Sequence, residues 1–338
     1  MSKKVLVTGG LGYIGSHTVV ELQNEGFEVV IIDDLSNSED FVQERIEKIS
    51  GKPVETHILD LKDQEAVDEF FSHQDIQGII HFAAHKAVGE SMEKPLMYYR
   101  NNIVGLLNLL EAAKENDVDN VIFSSSCTVY GQADKLPIDE SAPIKKAESS
   151  YGKTKQMGEE ILEDFSRAFK KHVIALRYFN PIGAHPTALI GELPKGVPNN
   201  LIPFVTQTAA GIRECLSVFG DDYPTRDGTA VRDYIYVVDL AKAHVKALKR
   251  LLNGENKEDY EVFNLGTGTG STVLEVINAF EKANGVKLNY KITDRRAGDI
   301  TAAYADNSKA SKELGWNPDT SLEEALKTAW EWQKSLAK

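Results

Sequence analysis

A short apolar run, Lys4–Thr8, opens directly onto Gly9-Gly10-Leu11-Gly12-Tyr13-Ile14-Gly15. Residues 16–23 then have helical character, Gly26 ends that stretch, and 28–32 is a second apolar run. Strand, glycine turn, helix and strand within about 30 residues form the setting a dinucleotide fingerprint requires. Backbone without Cβ lets a pyrophosphate come close, and a helix N-terminus presents free N–H groups and the positive end of its dipole. The spacing of Gly9, Gly12 and Gly15 is G-x-x-G-x-x-G. A glycine-rich turn without a ligand is the competing explanation, and the context weighs against it.

Asp33 and Asp34 close the second strand. A carboxylate there accepts from adenosine ribose hydroxyls and repels a 2′-phosphate, and no arginine stands beside it, so NAD is expected rather than NADP. Further apolar runs at 55–59, 78–83, 120–125 and 173–177 alternate with helical stretches. That alternation predicts an α/β fold, a Rossmann-type doubly wound parallel sheet, with ligands at the carboxyl ends of its strands. Those ends carry Asp60, the Phe82-Ala83-Ala84-His85-Lys86 segment, Ser124 to Ser126, and Asn180. Two long helical stretches, 96–116 and 151–171, carry apolar stripes. Ile103, Leu106, Leu107, Leu110 and Ala113 in one, and Met157, Ile161, Leu162, Phe165 and Phe169 in the other, suit a core, and both helices also suit a helix-pair dimer seam.

Tyr151-Gly152-Lys153-Thr154-Lys155 opens the second of these stretches, with the serine triplet upstream. Residues four apart share a helix face, so the Lys155 ammonium lies one turn from the Tyr151 phenol. Moving a phenol from about 10 to near neutrality takes roughly 4 kcal/mol, within reach of one close cation plus a positively charged cofactor ring. Tyr151 is then a candidate general base for a hydroxyl.

Beyond Asn180 the chain turns to loops punctuated by Pro and Gly, at 180–186 and 191–203, of the kind that form lids and binding loops. Val231-Arg232-Asp233-Tyr234-Ile235-Tyr236-Val237 alternates like a strand, and Tyr260–Leu265 is an apolar strand expected to return to the sheet. Residues 1–180 thus read as a dinucleotide-binding domain and 181–338 as a smaller C-terminal α/β substrate domain. Arg232 and Arg296, the latter within Arg295-Arg296-Ala297-Gly298-Asp299, are candidates for clamping a diphosphate. Surface ion pairs with Asp233 and Asp299 are the alternative. A net charge of −13 argues against nucleic-acid and anionic-membrane partners. Scattered histidines favour no metal. With two cysteines, no apolar signal stretch after Lys3-Lys4 and no membrane-length apolar run, the expected location is the cytoplasm.

These residues together resemble the extended short-chain dehydrogenase/reductase superfamily and, within it, the UDP-glucose (UDP-galactose) 4-epimerase family. The likeness runs nearly end to end, through the 8–17 glycine segment, Lys86-Ala87-Val88-Gly89-Glu90-Ser91, Phe123-Ser124-Ser125-Ser126 and Tyr151-Gly152-Lys153. It continues through Arg177-Tyr178-Phe179-Asn180-Pro181, Pro198-Asn199-Asn200-Leu201 and Val231-Arg232-Asp233-Tyr234. The resemblance implies reversible epimerisation at C4 of a UDP-hexose through a transient 4-keto sugar, with NAD bound throughout. Tyr151, Ser126 and Lys155 are the implied catalytic set. NAD would be held by Gly9, Gly12, Tyr13, Ile14, Gly15, Asp33, Asp34, Leu35, Asn37 and Ser38. Asp60, Leu61, Phe82, Ala83, Ala84, Lys86, Asn101, Ser124, Tyr151, Lys155 and Phe179 complete the cofactor site. The UDP-sugar would meet Lys86, Ser126, Tyr151, Asn180, Asn200, Leu201, Val218, Phe219, Arg232, Tyr234, Arg296, Asp299 and Ala303. From the two long apolar-striped helices, the expected assembly is a homodimer.

The chain departs from the family pattern at Ala84-His85, where Gly-Leu is common, at Tyr236, where histidine is common, and at Cys127, in place of alanine. Ala303 stands where some members carry a bulky tyrosine, and a small residue there implies room for N-acetylated sugars. Tyr304 is adjacent, so a one-residue shift reverses that inference. A sugar-nucleotide 4,6-dehydratase would need a carboxylate just after Ser126, where Cys127-Thr128 stands, and a non-catalytic NAD-binding scaffold would not need the complete Ser126/Tyr151/Lys155 set.

Overall fold

The computed structural model describes residues 3–296 and 299–337. From its start the chain alternates: β1 (Lys4–Thr8), α1 (Tyr13–Asn24), β2 (Glu28–Asp33), α2 (Phe41–Ser50), β3 (Glu55–Ile58), α3 (Gln64–Ser72) and β4 (Gly78–His81). Short helices α4 (Val88–Glu93) and α5 (Pro95–Tyr99) lead through a π turn, Arg100–Val104, into α6 (Gly105–Glu115), then β5 (Asn120–Ser124), α7 (Ser150–Phe169) and β6 (His172–Tyr178). The second half holds β7 (Asn180–Ile182), α8 (Leu201–Ala209), β8 (Leu216–Phe219), β9 (Val231–Arg232), β10 (Tyr234–Tyr236), α9 (Val237–Leu252) and β11 (Tyr260–Leu265). It closes with β12 (Ser271–Thr272), α10 (Val273–Asn284), β13 (Tyr290–Thr293), β14 (Ala302–Ala303), α11 (Ser308–Leu314) and α12 (Leu322–Ser335).

Seven strands form one parallel sheet in the order β11-β6-β5-β4-β1-β2-β3. Its strands are apolar on both faces because helices cover both. Val5, Val7, Val29 and Ile31 pack toward α1 and α9, while Leu6, Val30 and Ile32 pack toward α3 and α6. Phe123, Val173 and Ala175 meet Leu106, Leu110, Leu162 and Phe165 of α6 and α7. Strand order reverses between β1 and β4, which places a crevice at their carboxyl ends. The predicted doubly wound α/β fold is present. β11 pairs with β6, so the strand at the end of this run does return to the sheet.

Two local expectations change. The 96–116 stretch is not one regular helix: the π turn widens it at Asn101 and Asn102, and Asn102 binds the carbonyl of His85 at 3.1 Å and Thr154 Oγ1 at 3.0 Å. Leu107 and Phe169, placed in apolar stripes, are exposed. The 231–237 run is likewise divided, with β9 pairing with β12 and β14 while β10 pairs with β7. The break falls at Asp233, whose buried carboxylate accepts from Thr267 N at 2.8 Å, Thr267 Oγ1 at 2.6 Å and Ala305 N at 3.1 Å.

Candidate active site

A cleft of about 1490 Å³ lies at the carboxyl ends of the sheet strands and runs out under the second half of the chain. The glycine loop forms its floor. A Cβ on Gly15 would stand 2.2 Å from the Gly9 carbonyl oxygen, so no larger residue fits there. Gly12 is the N-cap of α1 and offers no side-chain bond to the first turn, which leaves backbone N–H groups at the cleft. Asp33 braces this loop, accepting from Leu11 N at 3.0 Å, Leu35 N at 3.0 Å and Ser38 Oγ at 2.5 Å. An ionised carboxylate has about four acceptor positions, so one remains for a hydroxyl in the cleft. Asp34 is exposed on the same rim, near Asn37 and Ser38.

Opposite, Asp60 pairs with Lys62 at 2.9 Å, and Lys62 reaches Asn101 at 2.9 Å. Leu61, Phe82, Ala83, Ala84 and Phe179 supply apolar wall, together with Tyr13 and Ile14. His85 is half-buried in the wall, where burial lowers its pKa and carboxylates led by Asp34 and Glu90 act the other way. These donors and surfaces fit a dinucleotide: an uncapped helix end and a glycine cradle for phosphates, and a carboxylate with spare capacity for ribose.

Tyr151, Ser126 and Lys155 all line the cleft, with Ser126 in a side-chain hydrogen bond with Tyr151. Ser149 caps α7 by accepting from Gly152 N at 3.1 Å, fixing the first turn that carries the tyrosine. Lys155 Nζ donates to the Ser124 carbonyl at 2.6 Å and lies 5.9 Å from the centre of the Tyr151 ring. Burial pulls the Lys155 ammonium down to about 8, with Glu159 acting against it. The Tyr151 phenol is pushed well above its ordinary value, first by burial and then by the Tyr178 phenol, while a hydrogen bond with Ser126 opposes the rise. The sequence expectation that Lys155 draws the phenol down thus meets a stronger opposing effect, burial, and a further positive charge in the cleft would help draw the phenol toward neutrality.

The far half of the cleft gathers Asn180, Asn200, Leu201, Phe219, Arg232, Tyr234, Arg296, Asp299 and Ala303. Asp299 holds both arginines, Arg296 at 2.8 Å and Arg232 at 3.4 Å, so it aligns two guanidinium groups from distant parts of the chain. Asp233 is turned inward and is not their partner. Ala297 and Gly298 of the same basic stretch lie outside the described residues. Ala303 sits opposite Arg232 in the β14–β9 pairing and packs with Val129, Tyr130 and Phe179. The Tyr304 ring faces Gly270 and is not in the cleft wall.

Two expected members fall off the wall. The Val218 side chain is fully buried, because its position in β8 turns it into the core. Leu35 meets the cleft rim through its carbonyl, which accepts from Lys195 at 3.0 Å. Four residues carried no sequence signal that singled them out. Tyr178 shares a 2.7 Å bond with Ser124 Oγ. Thr128 Oγ1 is buried on the wall with no partner among the described residues. Glu192 accepts from Asn200 at 2.6 Å and from Lys86 at 3.4 Å, and Glu159 lies behind Lys155. Tyr236, at a departure position, donates to the Ala184 carbonyl at 2.9 Å and so fastens the loop after β7.

A family model described as GDP-mannose 4,6 dehydratase matches residues 6–329. The UDP-glucose 4-epimerase of Bacillus subtilis (strain 168) is 52% identical over 332 residues, 98% of this chain and 97% of the relative. The crystal structure of UDP-glucose-4-epimerase from Stenotrophomonas maltophila, with bound NAD and formylated UDP-arabinopyranose, superposes with a TM-score of 0.96 at 46% identity, covering 99% of each chain. That of the Bifidobacterium longum enzyme, in complex with NAD+ and UDP, gives 0.94 at 47% identity over 98% of each. With a match over nearly the whole chain at this identity and the same fold, the chain belongs to the UDP-glucose 4-epimerase family of the extended short-chain dehydrogenases/reductases.

Proposed function

We propose that the protein is an NAD-dependent isomerase that inverts C4 of UDP-hexoses, interconverting UDP-glucose and UDP-galactose. The observation that carries this reading is that Tyr151, Ser126 and Lys155 line one cleft together with the glycine cradle and the paired arginines. Bound NAD would supply a site that takes the C4 hydrogen and gives it back. The chain's own groups do the rest. Tyr151 removes the proton of the sugar 4-hydroxyl and restores it after the sugar has turned over. Ser126 bonds the same oxygen and steadies it through both transfers. Lys155 contributes positive charge beside the phenol. Arg232 and Arg296 grip the diphosphate, so the sugar alone is free to rotate.

A purified sample should equilibrate UDP-galactose with UDP-glucose without added NAD and without accumulation of 340 nm absorbance. Tyr151→Phe should keep its NAD and lose turnover. Net NADH release in the unaltered protein would falsify the epimerase reading. The dehydratase alternative lacks its acid–base carboxylate, because Cys127 and Thr128 follow Ser126.

Ala303 bears on which sugars enter. Its methyl group leaves the wall beside Arg232 and Phe179 open, and Tyr304 faces elsewhere, so we infer that UDP-GlcNAc and UDP-GalNAc are also substrates. Ala303→Tyr should abolish turnover of the N-acetylated pair and spare the unsubstituted pair. The exposed apolar side chains Leu96 and Leu107 on α5 and α6 support a homodimer. No helix among the described residues is long and apolar enough to cross a membrane. Two free cysteines, Cys127 and Cys215, suit a cytoplasmic setting.

A further inference from the structure

Resting on the epimerase reading, we propose that Glu159 is a positioning residue for the reaction: a buried anion that keys the helix turn bearing Tyr151 and Lys155 to the turn bearing Ser126 and holds negative charge beside Lys155. Glu159 follows Lys155 by four residues on α7 and so shares its face. Its carboxylate accepts from Ser125 Oγ at 2.5 Å and, in bidentate fashion, from Arg177 of β6, Nε to Oε1 at 2.9 Å and Nη2 to Oε2 at 2.5 Å. Arg177 also donates to the Tyr130 hydroxyl at 2.9 Å, and Tyr130 donates to Asn264 of β11 at 2.7 Å. Asn264 in turn bonds the Ile138 carbonyl at 2.9 Å.

This chain of bonds meets the reactive groups at both ends of a short segment. Ser125 stands between Ser124, whose carbonyl takes Lys155, and Ser126. Tyr130 ends the 3-10 turn Cys127–Tyr130 whose N-cap is Ser126. A shift of Ser125 or Tyr130 therefore moves Ser126 relative to Tyr151. Every member of the chain is buried, from Ser125, Tyr130 and Asn264 at 0% exposed to Glu159 at 7%. A buried ion pair gives little net stability over an apolar pair of like volume, so stability alone does not account for it.

Charge supplies the second strand of the argument. Lys155 faces Tyr151 on its own helix, Phe123 and Ser124 of β5, and His81 of β4, which burial keeps neutral with a pKa of about 3. Glu159 is the anion that acts on it. Facing Glu159 are Arg177 of β6, Ser125, and Tyr260 of β11, with Tyr130 beyond Arg177 and Glu163 one turn along. Without Glu159, Lys155 loses its proton at lower pH, and the positive charge beside Tyr151 goes with it.

The test uses the purified holoenzyme as unaltered protein, Glu159→Gln, Glu159→Asp, and the double variant Glu159→Gln/Arg177→Gln, in which two amides replace the ion pair. Turnover of UDP-galactose is followed across pH, with NAD content and melting temperature measured alongside. For Glu159→Gln, KM and NAD content should stay near the original while kcat falls about 10- to 100-fold. Its alkaline limb should move down by about one pH unit. Glu159→Asp should bring the limb back while recovering only part of kcat. If Glu159→Gln does not fold, the double variant carries the same expectation. A folded variant whose kcat falls equally at every pH, or does not fall, overturns the inference while leaving the epimerase reading intact. Absence of turnover in the unaltered protein overturns the reading itself.

Discussion

Burial raises the Tyr151 phenol and lowers the Lys155 ammonium to about 8, so the site resists the charges its chemistry needs. The cost falls on stability. Lys155 is charged below about 8 when folded and below about 10.4 when unfolded, so the unfolded chain binds more protons between those values and stability rises with pH across that window. At neutral pH the shift corresponds to about 3 kcal/mol of destabilisation. Lys155→Met should therefore raise the melting temperature of the protein by a few degrees while turnover drops about 10²- to 10⁴-fold. A melting temperature at or below the original would show that the ammonium's bond to the Ser124 carbonyl outweighs its burial. Gly15 poses the opposite case, for a methyl group there collides with the Gly9 carbonyl, and Gly15→Ala should lose bound NAD together with stability. The tyrosine, the lysine and the glycines were legible because local spacing defines them. Glu159 was not, since its partners are Ser125, just past β5, and Arg177 on β6, and the inward turn of the Val218 side chain did not show because the face a strand residue takes depends on its neighbours.

Among the elements, the segment after β7 carries the most function with the least regular structure. Tyr13 OH donates to the Gly183 carbonyl at 2.7 Å, Arg45 to that of Leu189 at 3.0 Å, and Trp332 of α12 to that of Glu192 at 2.9 Å. Glu192 then reaches Lys86, and Lys195 reaches Leu35 and Glu39, across the glycine-loop half of the cleft. The segment thus straps the second half of the chain over the cofactor side. Half-exposed contacts of this type contribute about 0.5 to 1 kcal/mol each. Glu192→Gln/Lys195→Ala should speed exchange of bound NAD for labelled NAD by about tenfold, while kcat with saturating cofactor changes little. An unchanged exchange rate would assign retention of NAD to the glycine cradle alone. From the sequence, this stretch was recognisable as a loop by its Pro and Gly content, but its anchors were invisible because each comes from a different helix. The divided 231–237 run failed to show for a similar reason: its alternation is regular, and only the burial of Asp233 against Thr267 and Ala305 breaks it.

The molecule as a whole interleaves its two halves, since α9 and β11 complete the sheet after the chain has already built β7 and α8. The returning strand could be anticipated from its apolar run, whereas the outer face of α5 to α7 could only be left between core and seam. Packing separates those options. Leu106 and Leu110 meet Leu162 and Phe165 inside, while Leu96 and Leu107 point outward, 81% and 41% exposed. Val104, in the π turn between them, is exposed as well, so the apolar stripe runs from α5 through the turn into α6. The stripe flanks α7, whose first turn holds Tyr151, and neither leucine lines the cleft. Covering it with a second copy would stiffen the helix that carries the reactive tyrosine. Leu96→Glu/Leu107→Glu should therefore halve the sedimentation mass and leave NAD bound, with turnover per chain reduced rather than abolished. If both proteins sediment as single chains, the dimer is wrong; if both sediment as pairs, the seam lies on another face.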